Sequence, residues 1–341
     1  MCADFDLLRS QVVNHDVSPE LMSAFRNQMQ EFFDLPIATK KALRRSANNA
    51  RGFFDDELTK RRRDWKEALD FGVPGSRDWS LPDEDRANAM LDGFNQFPAA
   101  ADLPHFRGVM SDYFDEMTGL SERIAASMAE GLGMRPEYFD ELLHHTHTSY
   151  LRLNYYPPCT EPGSPPPLGI SPHADAGFLT VLEQDVDCHS LQVARKGCPL
   201  DEDASWSLVE PVAGAFTINT GDMAQIWSNG RYHAPVHRVL THPSKQRYSA
   251  PYFYNPGYRT KVEPLPTLGA PRFNTCVWGY YRALRFAGDF ADFGTEIQAS
   301  HFLEGSASPH IERQQSFLAG VDFTTPFSIK EYEPLLRMDA A

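Results

Sequence analysis

The chain contains 341 residues, and a hydrophobic content of 42% is ample for a buried core. A formal net charge of −14 argues against broad electrostatic attraction to nucleic acid, so we expect no nucleic-acid partner. No run of about 18 apolar residues occurs, and the first residues lack the charged and apolar regions of a signal peptide. We therefore expect a cytoplasmic protein that has no membrane partner and works as a monomer.

Five cysteines are scattered along the sequence without the paired spacing of a zinc site, and their number is odd. This usage is typical of a reducing compartment and predicts no disulfide framework. The positions are Cys2, Cys159, Cys188, Cys198 and Cys276. Cys159 ends an extended motif, and we interpret it as a packing residue.

The N-terminal part of the chain is predicted to be largely helical. Ser18 and Pro19 form a helix start, in which a capping residue is followed by proline in the first turn. Four apolar residues then recur at helical spacing: Leu21, Phe25, Met29 and Phe32. A second long helix is predicted over about 109–130, where glycines end it, and Pro136 opens a shorter one.

The pattern changes to short strands between about 150 and 256. Within this region the proline-rich run 162–167 is predicted to be a loop, and Asn229-Gly230 is a tight-hairpin signal. Residues 275–287 return to a helical pattern, and the tail after them is predicted to be irregular. The basic run 60–63 is short and flanked by acidic residues, so we interpret it as a solvated helix face.

Three residues of the strand-rich region form a candidate metal site. His173 and Asp175 are two apart, and in an extended segment residues i and i+2 project to the same side. His237 lies 62 residues after Asp175 in another extended apolar run, which suits a strand on a facing sheet. Two histidines and a carboxylate on one face of a metal leave the other positions open, as non-haem iron oxygenases require.

Other histidines compete for the third position. His233 and His237 are four apart, as on one helix face, but Pro235 and β-branched neighbours argue against a helix there. We interpret His233 as a residue that supports the metal site or lines the pocket. The histidine cluster at 144–147 is interpreted as a solvated loop.

Two further pairs of polar residues repeat the same spacing. Arg247 and Ser249 would face inward from one strand, ten residues after His237. A guanidinium binds a carboxylate through two charge-assisted hydrogen bonds, and a hydroxyl adds a third donor. This pair therefore suits the distal carboxylate of an acidic co-substrate. Asn154 and Tyr156 could present an amide and a phenol to the same ligand.

These segments, in this order, resemble those of a known family. The motifs are Asn154-Tyr-Tyr-Pro-Pro-Cys159, His173-x-Asp175, Gly221-Asp222-Met-Ala-Gln-Ile-Trp, His237-Arg-Val, Arg247-x-Ser249 and Tyr252-Phe-Tyr-Asn-Pro256. They are similar to motifs of the isopenicillin N synthase-like superfamily of iron(II)- and 2-oxoglutarate-dependent dioxygenases, which includes flavonoid and gibberellin oxidases of plants. The resemblance is strong over about 150–256, and a weaker helical match lies upstream.

The resemblance implies a mainly β fold with flanking helices around a double-stranded β-helix, or jelly-roll, core. It also implies that His173, Asp175 and His237 bind iron(II). The activity implied is oxidation of a small organic molecule, such as hydroxylation or desaturation, with succinate and carbon dioxide as co-products.

The co-substrate implied by the resemblance is 2-oxoglutarate, used together with oxygen. Arg247 and Ser249 match the residues that bind its far carboxylate, and Asn154 and Tyr156 match auxiliary contacts. Ascorbate is a candidate reductant.

We expect one catalytic unit, because no low-complexity linker or internal repeat divides the chain. Its portions would be a mixed helical part at 1–105, the jelly-roll core with supporting helices at 106–290, and a tail at 291–341 that could form a lid. Relatives usually begin with an extra strand and helix, so the first portion is expected to be shortened. Asp16 stands where glycine is common in the family.

Two other functions stay open. An oxoglutarate-independent iron oxidase of the isopenicillin N synthase or aminocyclopropane carboxylate oxidase type would share the Arg-x-Ser motif, although Asn154 with Tyr156 favours 2-oxoglutarate. A non-catalytic jelly roll that binds a ligand would need a damaged metal set, whereas all three ligand types are present.

The substrate is expected to be an uncharged or weakly charged molecule of modest size, because few unassigned cations flank the motifs. Phe253 shares its strand side with Ser249 and Arg247, since an i, i+4 step keeps the same face. We therefore expect Phe253 in an aromatic pocket wall. Tyr252 and Phe54 are further candidates for this wall, although either could instead fill the core.

Overall fold

Two antiparallel sheets form the centre of the fold. The structure is a computed structural model that describes residues 10–59, 62–160, 163, 166–288, 296–328 and 330. The major sheet contains β1 (Ser10–Val12), β2 (Gly52–Phe54), β5 (Glu67–Gly72), β6 (Tyr150–Tyr156), β8 (Leu179–Gln184), β11 (Phe216–Thr220) and β13 (Arg247–Tyr254). Its strands pair in the order β1-β11-β8-β13-β6-β5-β2. The N-terminal strands are therefore continuous with the strand-rich region in one sheet.

The minor sheet stacks on the major one. It contains β7 (Leu168–His173), β9 (Leu191–Ala194), β10 (Trp206–Leu208) and β12 (His237–Leu240), in the order β10-β9-β12-β7. Tyr156 and Leu182 of the major sheet pack with Val193 and Val239 of the minor sheet in a small apolar core. This stacked pair of sheets agrees with the predicted strand-rich region and is the arrangement expected of a jelly roll. Two hairpins pair β3 (Leu58–Thr59) with β4 (Arg62–Arg63) and β14 (Lys261–Val262) with β15 (Cys276–Val277).

The described residues also form seven α-helices. These are α1 (Pro19–Asp34), α2 (Ile37–Ala42), α3 (Phe106–Gly131), α4 (Asp140–Leu143), α5 (Asp222–Trp227), α6 (Trp278–Ala287) and α7 (His310–Gly320). Short 3-10 helices lie at Arg86–Asn88, Pro136–Tyr138, Asp203–Ser205, Pro266–Leu268 and Ala299–Phe302. No helix in the described part of the chain is both long enough and apolar enough to cross a membrane.

The predicted helix starts and spacings explain the layer that covers the major sheet. The Ser18 hydroxyl accepts a hydrogen bond from the backbone N–H of Leu21, which caps α1 as predicted. Phe25 and Phe32 are fully buried on one face of α1, and α1 packs on the longer helix α3. The helices α1, α3 and α6 confirm the three long helices predicted from the sequence.

The outer face of the major sheet packs on α3, and Tyr252 belongs to this face. Its ring meets Phe114 edge-on at a centroid distance of 5.0 Å, and its hydroxyl lies 2.7 Å from that of Thr118. Tyr252 is therefore a core residue, so its expected place in the pocket wall is wrong. The reason is the strand alternation, which turns Tyr252 away from the side that Phe253 occupies.

Two local predictions are wrong for physical reasons. Asn229 and Gly230 have φ values of 52° and 82°, but they end α5 rather than a hairpin, and Gly230 N–H donates to Gln225 O at 2.8 Å. Residues that tolerate a positive φ occur both at the C-terminal ends of helices and in β-hairpin turns, so the Asn-Gly dipeptide alone does not distinguish the two structures. The tail is not irregular, because it contains α7 and buries Phe302 and Phe317 in the main core.

The basic run at 60–63 is not a helix face where it is described, since Arg62 and Arg63 form β4 and are exposed. Residues 60–61, Cys2, half of the predicted loop at 162–167 and the tail beyond 330 lie outside the described residues. Cys188, Cys198 and Cys276 are free thiols, and Cys159 is buried, as expected of a packing residue. Asp16 has a φ of 63°, which explains why glycine suits this position.

Replacement of Tyr252 by phenylalanine should destabilise the fold by about 1 kcal/mol, because the hydrogen bond to Thr118 is lost from a buried site. Urea unfolding measures the difference. An unchanged free energy of unfolding would contradict the packing of Tyr252 against α3.

Candidate active site

His173 and His237 lie side by side on neighbouring strands. His173 ends β7, His237 begins β12, and the two residues are paired across the minor sheet. The expectation that His237 lies on a facing sheet is therefore wrong. Asp175 follows β7 after one residue, and its Oδ1 lies 3.6 Å from Nε2 of His173 and 3.7 Å from Nε2 of His237. Three candidate ligand atoms thus surround one point.

Backbone carbonyls orient both imidazoles. Nδ1 of His173 lies 2.9 Å from Ser171 O, and Nδ1 of His237 lies 3.1 Å from Pro235 O. A carbonyl can only accept, so each Nδ1 carries a proton and each Nε2 is the nitrogen that points toward Asp175. Burial, with the charge of His237 adding to it, lowers the pKa of His173 to about 3. The neutral imidazole is the form that binds a metal.

Asp175 uses one carboxylate oxygen for the protein and leaves the other for the histidines. Its Oδ2 accepts hydrogen bonds from Thr180 Oγ1 at 2.6 Å and from Asn219 Nδ2 at 2.7 Å. Burial alone would raise the pKa of Asp175, but the two histidines and these two hydrogen bonds outweigh it and lower the pKa. The carboxylate is therefore ionised and fixed in orientation.

Two imidazole nitrogens and one carboxylate oxygen suit an iron(II) ion with open positions. Among the residues that the structure describes, this is the only group of three or more histidine, cysteine, aspartate or glutamate side chains that lie close enough to bind one ion. The residues present thus fit the metal that the sequence predicts.

Backbone contacts hold the segment 173–177, which we call the metal loop. The N–H groups of Asp222 and Met223, in the first turn of α5, donate to Asp175 O at 2.9 Å and Gly177 O at 3.0 Å. A Cβ atom on Gly221 would lie 2.3 Å from Gly177 O, so only glycine allows this close approach. The Gly-Asp pair of the family motif therefore supports the metal loop through its backbone.

The predicted co-substrate residues meet on adjacent strands of the major sheet. Arg247 pairs with Tyr156, and Ser249 pairs with Asn154, in the register of β13 and β6. All four are buried. Arg247 lies over the Tyr156 ring at 5.0 Å, and its Nη1 donates to Ser249 Oγ at 3.3 Å. These two sequence pairs therefore form one patch on the side of the major sheet that faces the minor sheet.

The guanidinium of Arg247 has an N–H group that no acceptor among the described residues satisfies. Its Nη2 donates to Gln184 Oε1 at 2.8 Å, whereas its Nε is buried and has no hydrogen-bond partner. A buried guanidinium without a carboxylate partner is costly unless a ligand supplies the missing charge. The patch therefore fits an anionic ligand.

Phe253 and Tyr150 form an aromatic wall on the same side of the sheet. The two rings stack at a centroid distance of 4.5 Å with an interplanar angle of 23°, and Phe253 is only partly buried. The guanidinium of Arg282, on α6, lies 4.5 Å from the Tyr150 ring centroid. Sequence reasoning missed Tyr150, which continues the alternation of Asn154 and Tyr156 along β6.

Phe54 also lies on this side, but two guanidinium groups cover it. Arg45 lies 3.7 Å and Arg152 4.9 Å from its ring centroid, and Phe54 is almost fully buried. Arg152 is in turn held by Asp70, with donor–acceptor distances of 2.7 and 2.8 Å. The expectation that few cations lie near the site is therefore wrong, although Arg152 is neutralised by a carboxylate.

The other histidines lie elsewhere. His233 is partly exposed, and its Nε2 lies 2.8 Å from Lys196 Nζ. His144 and His145 are exposed, as predicted for a solvated loop. His147 is buried against Ser149, and burial lowers its pKa to about 3, so the loop interpretation is wrong for this residue.

Comparison with known proteins gives the family. Residues 147–256 match the 2OG-Fe(II) oxygenase superfamily, and residues 9–100 match the non-haem dioxygenase in morphine synthesis N-terminal family. Over 293 residues the chain is 31% identical to Kihadalactone A synthase LFS of Citrus sinensis. The aligned region covers 82% of this chain and 84% of that protein. The chain belongs to the 2-oxoglutarate- and iron(II)-dependent oxygenase superfamily.

Other members of this superfamily are also similar. The chain is 34% identical over 266 residues to Jasmonate-induced oxygenase 2 of Arabidopsis thaliana, which covers 76% of this chain. This match spans 64% of that protein, which is less than two thirds of its length.

Solved structures of superfamily members share the fold. The crystal structure of JOX2 in complex with 2OG, Fe and JA has a TM-score of 0.65 and 31% identity, over 80% of this chain and 75% of that chain. A full-length Neurospora crassa protein in complex with alpha-KG and 5-formyluracil has a TM-score of 0.68 and 25% identity, over 82% and 85% of the two chains. The predicted jelly-roll core is confirmed.

Several supporting residues of the site were missed from the sequence. Thr180 and Gln184 on β8, and Thr217 and Asn219 on β11, are polar residues at alternate positions of buried strands. That alternation was a usable signal, because a polar side chain facing a core needs a partner. Arg285 of α6, whose Nη2 donates to Ala174 O at 2.8 Å, carried no such signal.

Replacement of Thr180 by valine should weaken metal binding about 10- to 100-fold, because Asp175 Oδ2 loses one of the donors that fix the carboxylate. Calorimetric titration with Mn(II) measures the dissociation constant. Ser121→Ala, which removes a buried hydroxyl that bonds only within α3, is the matched control. Equal metal affinity in both variants would contradict the orienting role of Thr180.

Proposed function

We propose that this protein is an iron(II)- and 2-oxoglutarate-dependent dioxygenase that oxidises a small organic molecule. The observation that carries the proposal is the convergence of two Nε2 atoms and Asp175 Oδ1 on one point, with every other polar atom of the three side chains already bonded. A complete ligand set of this kind argues against a non-catalytic binding protein. Membership of the superfamily gives independent support.

In this proposal His173, Asp175 and His237 hold iron(II), which supplies the chemistry that activates oxygen. The protein holds the ligands in place before the metal arrives, through the carbonyls behind the histidines and the donors behind Asp175. Asp175 and His237 are buried and His173 is partly buried, which limits the access of water.

Arg247 and Ser249 would bind the distal carboxylate of 2-oxoglutarate, with Asn154 and Tyr156 beside them. The unpaired Nε of Arg247 supports this role, because a carboxylate would satisfy it and neutralise the buried charge. JOX2 and the Neurospora crassa protein, which were crystallised with 2OG and alpha-KG, support this co-substrate over the oxoglutarate-independent alternative.

The substrate would bind against Phe253 and Tyr150. Their stacked rings provide the apolar wall of a small-molecule pocket, and Phe253 keeps part of its surface open. The ligands in two crystal structures of relatives, JA and 5-formyluracil, are consistent with a substrate of modest size.

We also propose a cytoplasmic location, a monomeric state and the division of the catalytic unit near residue 105. Free thiols at Cys188, Cys198 and Cys276 are consistent with a reducing compartment. Separate family matches at 9–100 and 147–256 support the division, although both parts contribute strands to the major sheet. The role of the tail as a lid stays a prediction.

Release of succinate from 2-oxoglutarate tests the activity. The protein with iron(II) should release succinate, and pools of small molecules should raise the rate when they contain the substrate. Replacement of His173, Asp175 or His237 by alanine should abolish release and metal binding while the fold is kept. Full metal binding and activity in Asp175→Ala would contradict the proposal.

Replacement of Arg247 by glutamine should raise the KM for 2-oxoglutarate about 30-fold or more, because loss of one member of a buried charge pair costs about 2 kcal/mol or more. Steady-state kinetics with each substrate varied in turn measure the effect. A change confined to the KM of the organic substrate would assign Arg247 to that substrate instead.

Replacement of Phe253 by alanine should weaken binding of the organic substrate while uncoupled conversion of 2-oxoglutarate continues, because the ring contributes to the wall and not to the metal or co-substrate sites. Tyr252→Phe, on the opposite face of the same strand, is the matched control. If Phe253→Ala lost both activities equally, or neither, Phe253 would have no role in the substrate wall.

A further inference from the structure

The helix α6 reaches the metal loop through one arginine. Nη2 of Arg285 donates to the backbone carbonyl of Ala174, the residue between the ligands His173 and Asp175, at 2.8 Å. Ala174 lies outside the strands, in a segment without regular hydrogen bonding. A side chain therefore supplies a contact that a β-ladder does not provide here.

The helix α6 also contacts the next carbonyl of the metal loop, that of Asp175, through Asp222. Asp222 N–H donates to Asp175 O, and the Asp222 carboxylate accepts a hydrogen bond from the hydroxyl of Tyr281, one turn before Arg285 on α6. Tyr281 and Asp222 are both buried. Two consecutive carbonyls of the metal loop are thus tied, directly or through Asp222, to one helix.

Arg285 is itself held in place by the chain that follows α6. Nη1 of Arg285 forms an ion pair with Glu296, and the carbonyl of Ile297 accepts a hydrogen bond from the Tyr281 hydroxyl at 3.2 Å. The Arg285 side chain is 16% exposed and that of Glu296 is 29% exposed. A partly buried, paired arginine of this kind has little rotamer freedom left.

We propose that Arg285, oriented by Glu296, is a positioning residue that fixes the Ala174–Asp175 peptide and so keeps His173 and Asp175 at the spacing a metal ion requires. The segment after α6 therefore supports the metal site from behind. The inference rests on the proposed metal site. Without this contact, the loop must be ordered when the metal binds, and the conformational entropy lost in ordering it weakens binding.

The sign of the effect separates positioning from simple electrostatics. A guanidinium cation close to a metal dication repels it, so a purely electrostatic role predicts that removal of the charge strengthens metal binding. A positioning role predicts that removal of Arg285 weakens metal binding, because the order that its hydrogen bond to Ala174 O gives the metal loop outweighs the repulsion between the two cations.

Arg285→Met tests the proposal through metal affinity, which does not depend on turnover. The dissociation constant for Mn(II), measured by calorimetry on the folded full-length chain, should rise about 10- to 100-fold, as for other losses of support to ligands. Arg107→Met is the matched control, because Arg107 is also a helical arginine, on α3, and forms an ion pair with Asp83. Its metal affinity should stay within about twofold of the wild type.

Unchanged or tighter metal binding in Arg285→Met would overturn the proposal. If that variant does not fold, Arg285→Lys replaces it: lysine keeps the charge, but one ammonium cannot span Ala174 O and Glu296, so weaker metal binding is again expected and unchanged binding overturns the proposal. Asp175→Ala separates the two inferences. If it binds Mn(II) normally, the metal site itself is wrong; if it loses Mn(II) while Arg285→Met keeps it, only the role of Arg285 fails.

Discussion

The hydrogen bonds that occupy Oδ2 of Asp175 are the constraint on which the site depends. A carboxylate buried among apolar strands can rotate and can bind through either oxygen unless one of them is already used. Thr180 and Asn219 fix that choice, since both donate to Oδ2 and leave Oδ1 between the two histidines. The strand pairing of His173 with His237 then places two Nε2 atoms next to that oxygen.

The fold supplies this arrangement from several directions. Strands β8 and β11 of the major sheet carry the two donors, while β7 and β12 of the minor sheet carry the histidines. The first turn of α5 and the side chain of Arg285 hold the backbone between the ligands. A site assembled from both sheets and two helices is complete only when the sheets are stacked, so the sequence separation of its parts is a consequence of the jelly roll.

Much of the site was predictable because strand alternation is simple. The i, i+2 spacing of Arg247 with Ser249, and of Asn154 with Tyr156, correctly placed each pair on one side of its strand, and the same rule separates Phe253 from Tyr252. The order of these motifs along the chain supplied the family. Helix caps such as Ser18 were also readable, because they depend on neighbouring residues alone.

Long-range features were not predictable from local patterns. Whether His237 lies on a neighbouring strand of the same sheet or on the opposite sheet depends on the strand order, which cannot be deduced from the spacing of residues in the sequence. Arg152 follows the same alternation as Asn154 and Tyr156, but its ion pair with Asp70 joins residues 82 positions apart, so the neutralisation of its charge could not be predicted from the strand pattern. The same is true of Arg285, whose partner Ala174 lies 111 positions away and offers only a backbone carbonyl.

Calorimetric titration of 2-oxoglutarate into the protein, with and without Mn(II), tests the central claim most directly, because it requires the metal ligands and Arg247 to act on one molecule. The account predicts binding that is tight only when the metal is present, that loses its metal dependence in Asp175→Ala and that is weakened in Arg247→Gln. Equal binding with and without the metal, or binding that is unaffected by both substitutions, would contradict it.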